Sequence, residues 1–577
     1  MESAMKAWWC SLAVPPEPLT RAQRLAVLAL TVVVMITRWL ALARTLWDWD
    51  EALFSLALRH YDVAAHHPHP PGFPLYIATA KLFQLAGFSD FHALQAVSFL
   101  AGVAIVPAMF LLGRELRAGF RVSLIAAALL AFFPNVWLYG GMALSDVPSM
   151  TLVVLAVALL LRACRSDGAL WGAAVVAAMA AGYRPQNLVI VLAPALIAAP
   201  HVLRRGVVRA SAAVALGFAI IIASYAAAVQ LSGGWALYRE RLAEHQAYIA
   251  RTDSFRAPGR PPLWALIDNF VIWPYRWLPI NIPVATLVLV SGVVTLVRRR
   301  APILVMLAAF GPFCMLAILL LDRFSVSRFS IGYAPLIALL AADGLELIFR
   351  RWSIVAAAAL IVLMAWWTWP SLREVHTHPS PPVRAIRAIP AQGTVYVDET
   401  MAAYADLYLP KERVVKDEAP TALWRDGEQA WYLAEGEGAF RREHGALWDL
   451  VRRRYFDVLL QPVPRVVFGE GWYGEEEAWR WMARRSVMTL PPGGCKLTLR
   501  LYVPLDALPE PPMITVRVGD TVDRFRMTAA DVERTYDPRG ARELVIETTG
   551  AVRTPGDPRE LGVRLNALEW RSGATAR

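Results

Sequence analysis

The sequence predicts a polytopic α-helical membrane domain of about eleven spans, followed by a water-soluble region with an α/β part and a β-sandwich. Three observations point to this. Hydrophobic residues make up 57% of the 577 and charged ones only 18%, against about a quarter charged in soluble chains. The apolar excess is confined to long runs before residue 370. Arginines cluster in every second connection between those runs, which is how cytoplasmic loops are marked.

The runs lie near 23–43, 92–112, 121–139, 147–162, 169–182, 186–200, 208–230, 279–297, 302–321, 331–348 and 353–369. A helix needs about 20 apolar residues to cross the hydrocarbon. Several runs are shorter than that, and 169–200 also fits a re-entrant hairpin. The first run ends in Ala41-Leu42-Ala43, which resembles a signal-peptidase site. Its spanning length and the many later runs argue for an uncleaved segment. Phe73 to Ala86 opens on prolines and contains Lys81, so it reads as an interfacial helix.

The basic residues orient the chain. Lys6, Arg21 and Arg24 precede the first run, and Arg114, Arg117 and Arg121 separate the second and third. Arg162 and Arg165, then Arg204, Arg205 and Arg209, then Arg298 to Arg300, then Arg350 and Arg351 continue the alternation. The N-terminus is therefore expected in the cytoplasm, and an odd span count places 371–577 outside. These clusters account for much of the +11 net charge, so nucleic acid is not an expected partner and the lipid bilayer is. Cys10, Cys164, Cys314 and Cys495 are scattered and form neither a disulfide framework nor a CxxC motif.

Some charges do not fit the topology rule. Arg184, Arg323 and Arg328 fall at outward-facing span ends. Charge beside the bilayer is costly and marks an ion partner or a substrate. Three guanidiniums there suit a phosphate at headgroup depth; snorkelling to lipid headgroups, or pairing with Asp322, is the plainer alternative. In the first outer loop, Asp48, Asp50 and Glu51 crowd the start of a helix between Trp47 and Trp49. Acidic residues cap helices, but such crowding also raises a carboxyl pKa, as a general base requires. His66, His67 and His69 follow among prolines. They suit a phosphate contact or an open divalent-metal alternative; no cofactor is otherwise read.

Together these residues resemble the GT-C superfamily of membrane glycosyltransferases, in particular bacterial relatives of protein O-mannosyltransferases and the lipid A aminoarabinose transferase. The resemblance rests on Asp50-Glu51, His69-Pro70-Pro71-Gly72, Ser145-Asp146-Val147-Pro148, and Arg328-Phe329 before Tyr333-Ala334-Pro335. It covers residues 20–370 at the level of topology. It implies inverting transfer of a sugar from a polyprenyl-phosphate donor to an acceptor hydroxyl on a glycan, lipid or protein. The expected place is the outer face of the bacterial inner membrane, with the C-terminal region periplasmic. Asp50 matches the catalytic base, with Glu51 beside it. Arg184, Arg328 and His69 fall among donor-phosphate contacts, although relatives often carry Lys or another basic residue where His69 stands; Arg323 joins them by its place at the same span end. Asp146, His245 and Tyr333 are the expected substrate contacts. The loop 232–278, with Arg239, Glu244 and His245, then Trp264, Trp273, Tyr275 and Trp277, matches a segment that covers the site in relatives. A solvated helix and an interfacial aromatic belt are the plainer readings of it.

The tail opens on Pro379-Ser380-Pro381-Pro382. Residues 371–488 mix strand runs such as Thr394 to Val397 and Phe456 to Leu460 with helical stretches such as Glu475 to Arg484, predicting a small α/β domain. Residues 489–577 alternate as strands, at Lys496 to Val503, Ile514 to Val518, Glu543 to Thr548 and Leu561 to Leu565, predicting a β-sandwich. Three domains are thus expected: 1–370, 371–488 and 489–577. The rival functions are a transporter or flippase of lipid-linked sugars, an oligosaccharide ligase using a polyprenyl-diphosphate donor, and a non-catalytic envelope-assembly protein. Transporters place their polar residues near mid-membrane, whereas the candidates here lie at the outer rim.

Overall fold

The computed structural model describes residues 2–252, 301–320, 326–416, 422–441 and 457–572, with scattered positions between 258 and 294. The chain divides into two compact units, Met1–Val383 with Arg442–Phe456, and Arg384–Arg441 with Asp457–Arg577.

The first unit is helical. Its elements begin α1 (Glu2–Ser11), α2 (Arg21–Trp39), α3 (Trp49–Arg59), α4 (Pro74–Leu85), α5 (Asp90–Glu115), α6 (Phe120–Phe132) and α7 (Pro134–Tyr139). They continue α8 (Asp146–Ala163), α9 (Asp167–Tyr183), α10 (Asn187–Arg205), α11 (Val207–Leu231) and α12 (Trp235–Thr252). After a stretch outside the described residues come α13 (Ala301–Leu320), α14 (Val326–Phe329), α15 (Ala334–Phe349) and α16 (Ser353–Thr377). Helices occupy every predicted run, although most of 279–297 lies outside the described residues. Among the described residues six helical stretches are long and apolar enough to cross a membrane, and shorter apolar helices cover Phe120–Phe132 and Pro302–Ala317. The chain is a multi-pass membrane protein.

Local signals set the helix starts. Thr20 and Gln23 form a reciprocal capping box on α2, and the Ser89 and Ser166 side chains accept the His92 and Ala169 N–H groups that open α5 and α9; each satisfies a donor the helix cannot. The interfacial helix expected over 73–86 is α4, with Pro at its first turn, where the missing N–H costs nothing.

One charge holds the core of this unit. Arg38 on α2 is buried. Its guanidinium donates to the carbonyl oxygens of Gly102 (3.3 Å), Val136 (3.1 Å), Trp137 (2.8 Å) and Ala131 (2.7 Å). It thereby satisfies carbonyls at the α6–α7 break and joins α2, α5, α6 and α7. A Cβ on Gly102 or Gly140 would lie 2.9 Å from this guanidinium, so both positions need glycine for the side chain to pass. At the opposite end of α5, Glu115 pairs with Arg165 at 2.6 Å, and the Trp8 and Trp9 indoles of α1 donate to Leu116 and Ile197 carbonyls.

The second unit is built on strands. A mixed four-stranded sheet has the order β2-β1-β3-β4, from β1 (Thr394–Val397), β2 (Val414–Lys416), β3 (Ala430–Phe440) and β4 (Val458–Pro462). β1 runs parallel to β2 and β3, and β4 antiparallel to β3. Two further sheets follow, β11-β10-β13-β8-β5 and β12-β9-β14-β7-β6. Their strands are β5 (Val467–Phe468), β6 (Trp472–Glu476), β7 (Trp479–Met482), β8 (Arg485–Thr489) and β9 (Gly494–Tyr502), then β10 (Met513–Val518), β11 (Thr521–Arg526), β12 (Asp531–Tyr536), β13 (Glu543–Thr548) and β14 (Arg564–Ser572). Leu497, Leu499, Leu501, Ile514, Val516, Ile546 and Leu565 fill one apolar core between them, with the alternation of a sandwich.

Two details differ from expectation. The five-stranded sheets recruit strands from residue 467 on, upstream of 489. The stretch Glu475 to Arg484, expected as a helix, is instead the β6–β7 hairpin and the strand edge after it. Glu477, at φ 49°, turns the chain there. Burial alternates through Trp479, Arg480, Trp481 and Met482, so packing overrides the helical leaning of its Glu, Ala and Arg residues.

Candidate functional site

The site is assembled from the first outer loop, the start of α8, the end of α9 and the turn α14. Asp48 is the N-cap of α3, and its side chain accepts the Asp50 N–H. Glu51 closes the reciprocal half of the box and is fully buried. One of its oxygens accepts the N–H groups of Trp47 and Asp48 at 2.5 and 2.7 Å, and the other accepts Ala143 N–H at 2.7 Å. Burial, then the neighbouring Asp48 charge, push its carboxyl up to about 8 against those donors. Glu51 thus ties the head of α3 to the segment before α8. Asp50, one residue earlier, keeps 21% of its side chain exposed.

Arg328 reaches this rim from α14. Its guanidinium, buried, meets the Asp50 carboxylate at 2.5 Å, Asp146 at 2.6 Å and Asp48 at 3.5 Å. Arg184, the residue that ends α9, pairs with the other Asp146 oxygen at 2.9 Å and donates from Nε to Ser145 Oγ at 3.1 Å. Asp146 therefore stands between both guanidiniums, at the first turn of α8. Both arginines lie in the wall of a small pocket, open at its mouth. The same pocket has Ser149 and Asn187 as polar lining, hydrogen-bonded to each other at 2.7 Å, and Met150, Val153, Ile190, Phe313, Phe329 and Ile331 as apolar lining.

A histidine cluster borders Asp50. His69 Nδ1 lies 3.7 Å from Asp50 Oδ1. Its ring centroid is 5.6 Å from that of His245 on α12, and His245 is 6.5 Å from His66. Burial lowers the His69 pKa to about 4, with Asp50 opposing and His245, Arg328 and Arg184 reinforcing, so the ring is neutral at pH 7. The His66 and His245 pKa values are lowered too, by burial first. The loop that carries His66 and His69 is fixed by Tyr238 Oη donating to Pro71 O at 2.8 Å and by Val63 N–H donating to Ser232 Oγ at 2.9 Å. Gly72 sits at φ +102°, and a Cβ there would collide with Tyr61 Oη. Only glycine lets the loop turn into α4 under that hydroxyl, which donates to the Gly72 carbonyl.

The structure thus brings together Asp50, Glu51, His69, Asp146, Arg184, His245 and Arg328. Tyr333 is buried one residue beyond Gly332, the last of the pocket's lining residues. Arg323 and Asp322 lie outside the described residues, as do Trp273, Tyr275 and Trp277. Ser149, Asn187 and Phe313 were not singled out in the sequence, where a polar residue at a span end and a phenylalanine within a span carry no signal. Among the described residues no group of three or more His, Cys, Asp or Glu is arranged to hold a metal ion.

Residues 68–229 match the model of the dolichyl-phosphate-mannose-protein mannosyltransferase family. The membrane unit resembles a GT-C glycosyltransferase. The matched part of this GT-C-like unit contains His69, Asp146 and Arg184, while Asp50, Glu51, His245 and Arg328 lie outside it. No curated protein sequence matches the chain. Among solved structures, ArnT from Cupriavidus metallidurans bound to undecaprenyl phosphate aligns with 76% of this chain and 97% of its own, at 12% identity and a TM-score of 0.49. The Archaeoglobus fulgidus oligosaccharyltransferase aligns with 67% of this chain and 64% of its own, at 13% identity and a TM-score of 0.41. The arabinosyltransferase EmbB from Mycobacterium smegmatis aligns with 98% and 67%, at 12% identity and a TM-score of 0.41.

Proposed function

We propose that the chain is a glycosyltransferase that moves a sugar from a polyprenyl-phosphate donor to an acceptor hydroxyl, with inversion, at the outer face of the bacterial cytoplasmic membrane. The observation that carries this reading is the pocket that Arg184 and Arg328 line together with Asp146, Ser149, Asn187 and a set of apolar side chains. Its two guanidiniums suit a phosphate and its apolar side chains the start of a lipid, while Asp50 is held at 2.5 Å from the Arg328 guanidinium.

The chemistry needs two things. The phosphate leaves with its electrons, so the charge that develops on it must be neutralised, which fixed guanidiniums do. The acceptor hydroxyl must lose its proton as it attacks, which a carboxylate does. Arg184 and Arg328 take the first role, with Arg323 five positions before Arg328 in sequence. Asp50 takes the second. Asp146 holds both guanidiniums in place, and Glu51 holds the head of α3 that presents Asp50. His69, neutral, offers a hydrogen bond to a phosphate oxygen or a sugar hydroxyl. His245 adds to the substrate surface, while Tyr333, buried next to the lining residue Gly332, stands behind it.

The test is transfer in vitro from a defined polyprenyl-phosphate sugar to hydroxyl acceptors, with the anomeric configuration of the product determined. Transfer with inversion supports the reading. Arginine-dependent movement of the intact lipid-linked sugar across a bilayer, with no transfer, would replace it by a transporter.

A further inference from the structure

The outer face of the sheet β12-β9-β14-β7-β6 is unlike an ordinary solvated sheet surface. The register places Tyr502 of β9 and Trp481 of β7 on either side of Arg564 of β14, with Asp531 of β12 beyond Tyr502. Alternation directs this row away from the core, since Leu501, Leu565 and Met482, next in their strands, are buried in it. The Arg564 guanidinium lies 4.0 Å from the Tyr502 ring centroid, 4.8 Å from that of Trp479 and 5.6 Å from that of Trp481. Among the described residues it has no carboxylate within ion-pair distance, and its buried Nε has no hydrogen-bond partner. Beside it Asn566 donates to Asp531 at 3.0 Å, while its own buried Oδ1 accepts nothing. The opposite sheet of the sandwich shows the contrast: there outward Arg517 and Arg485 both pair with Glu547, at 3.1 and 3.4 Å.

A cation on three aromatic rings, without a counter-ion, calls for an anion of a particular shape. A guanidinium held beside aromatic rings still offers its terminal N–H groups, and a planar carboxylate accepts two parallel hydrogen bonds from such a fork. Indole and phenol rings offer apolar surface of the kind that the C–H face of a pyranose covers, with polar tips for its hydroxyls. Asp531 and Asn566 add an acceptor and an amide at the edge of the same row. We propose that this face binds an acidic glycan, with a sugar carboxylate on Arg564 and the neighbouring sugar rings against Trp481, Trp479 and Tyr502. The site is independent of the transfer reaction and is read without it.

The experiment titrates the full-length protein in detergent micelles with a hexuronic-acid tetrasaccharide and, separately, with its carboxyl-reduced, uncharged counterpart, following heat and tryptophan fluorescence. Saturable binding is expected for the acidic oligosaccharide and binding weaker by about tenfold or more for the reduced one. Arg564→Gln and Trp481→Leu should each weaken acidic binding by about tenfold, and Arg517→Gln on the opposite sheet should leave it unchanged. Arg564→Lys keeps the charge and loses the fork, so it gives the same loss with the cation still on the sheet, and thermal unfolding of each variant separates lost binding from lost fold. Absence of saturable binding by the acidic oligosaccharide at millimolar concentration overturns the proposal. So does equal affinity for the reduced one, or full affinity in folded Arg564→Lys and Trp481→Leu variants.

Discussion

Arg328 is shared between carboxylates, and that sharing sets what each substitution at the rim should do. Asp50→Asn keeps the side chain's shape and removes the proton-accepting charge, so turnover should fall by about a hundredfold or more. It also frees Arg328 from a 2.5 Å partner, so a polyprenyl phosphate should bind this variant no more weakly than the parent, and more tightly where Asp50 competes with the phosphate. Turnover and lipid binding measured on one preparation check both halves; near-normal turnover takes Asp50 out of the mechanism. Arg328→Ala and Arg184→Ala should weaken lipid binding by about ten- to a hundredfold, the scale of a lost charged contact, and donor affinity unchanged in both would leave the arginines as headgroup anchors. His69 brings a pH dependence. Its pKa is lowered to about 4 from an ordinary value near 6.5, so between those values the unfolded chain takes up a proton that the folded loop refuses. Stability of the loop over 62–73 is therefore full above about pH 6.5 and falls as the pH drops toward 4, a slope that amide exchange should record and His69→Gln should flatten. The arginines and Asp50 were legible because the topology rule did not call for them or because they crowded. The bridging of two guanidiniums by Asp146 was not, since its partners are 38 and 182 positions away in sequence.

At the scale of elements, apolar runs and alternating arginines located the helices, because a spanning helix must be apolar along its whole length whatever it packs against. Contacts between helices left less trace. Arg38 reads as one more arginine near the end of the first run, yet it is buried and donates to four carbonyl oxygens on three other segments. Replacing it by leucine removes every one of those donors from a site that water does not reach. Arg38→Leu should lower the stability of the helical unit by about 3 kcal/mol or more, read as thermal unfolding in detergent, and Gly102→Ala should act in the same direction by pushing the guanidinium aside. An Arg38→Leu protein that melts with the parent would show that the α6–α7 break holds without this side chain. The hairpin β6–β7 was illegible for the opposite reason. Its Glu, Ala and Arg residues lean toward helix in isolation, and the pairing of β7 with β6 and with the distant β14 (Arg564 against Trp481) selects the extended form.

For the molecule as a whole, what ties the chemistry to a side of the membrane is charge outside the site. Arg114, Arg117, Arg121, Arg165, Arg204, Arg205, Arg298 to Arg300 and Arg350 to Arg351 lie in alternate connections, and cytoplasmic loops retain such residues during insertion. The rim with Asp50, Asp146, Arg184 and Arg328 falls in the other set of connections, so all four belong outside together or inside together. This makes one fusion series decisive for the proposed donor. A lipid-phosphate sugar is used at the outer leaflet and a nucleotide sugar in the cytoplasm, so a reporter that works only outside should be active when fused after Pro370 and inactive when fused after Arg298. A cysteine placed at Arg59, on the exposed end of α3, should react with a membrane-impermeant maleimide added to whole spheroplasts, and one placed at Arg114 should react only after lysis. Labelling in the reverse pattern would place the carboxylates and arginines among cytoplasmic substrates. The pocket would then keep its geometry and lose its proposed donor, because sidedness is fixed by the loop arginines and not by the residues that line it.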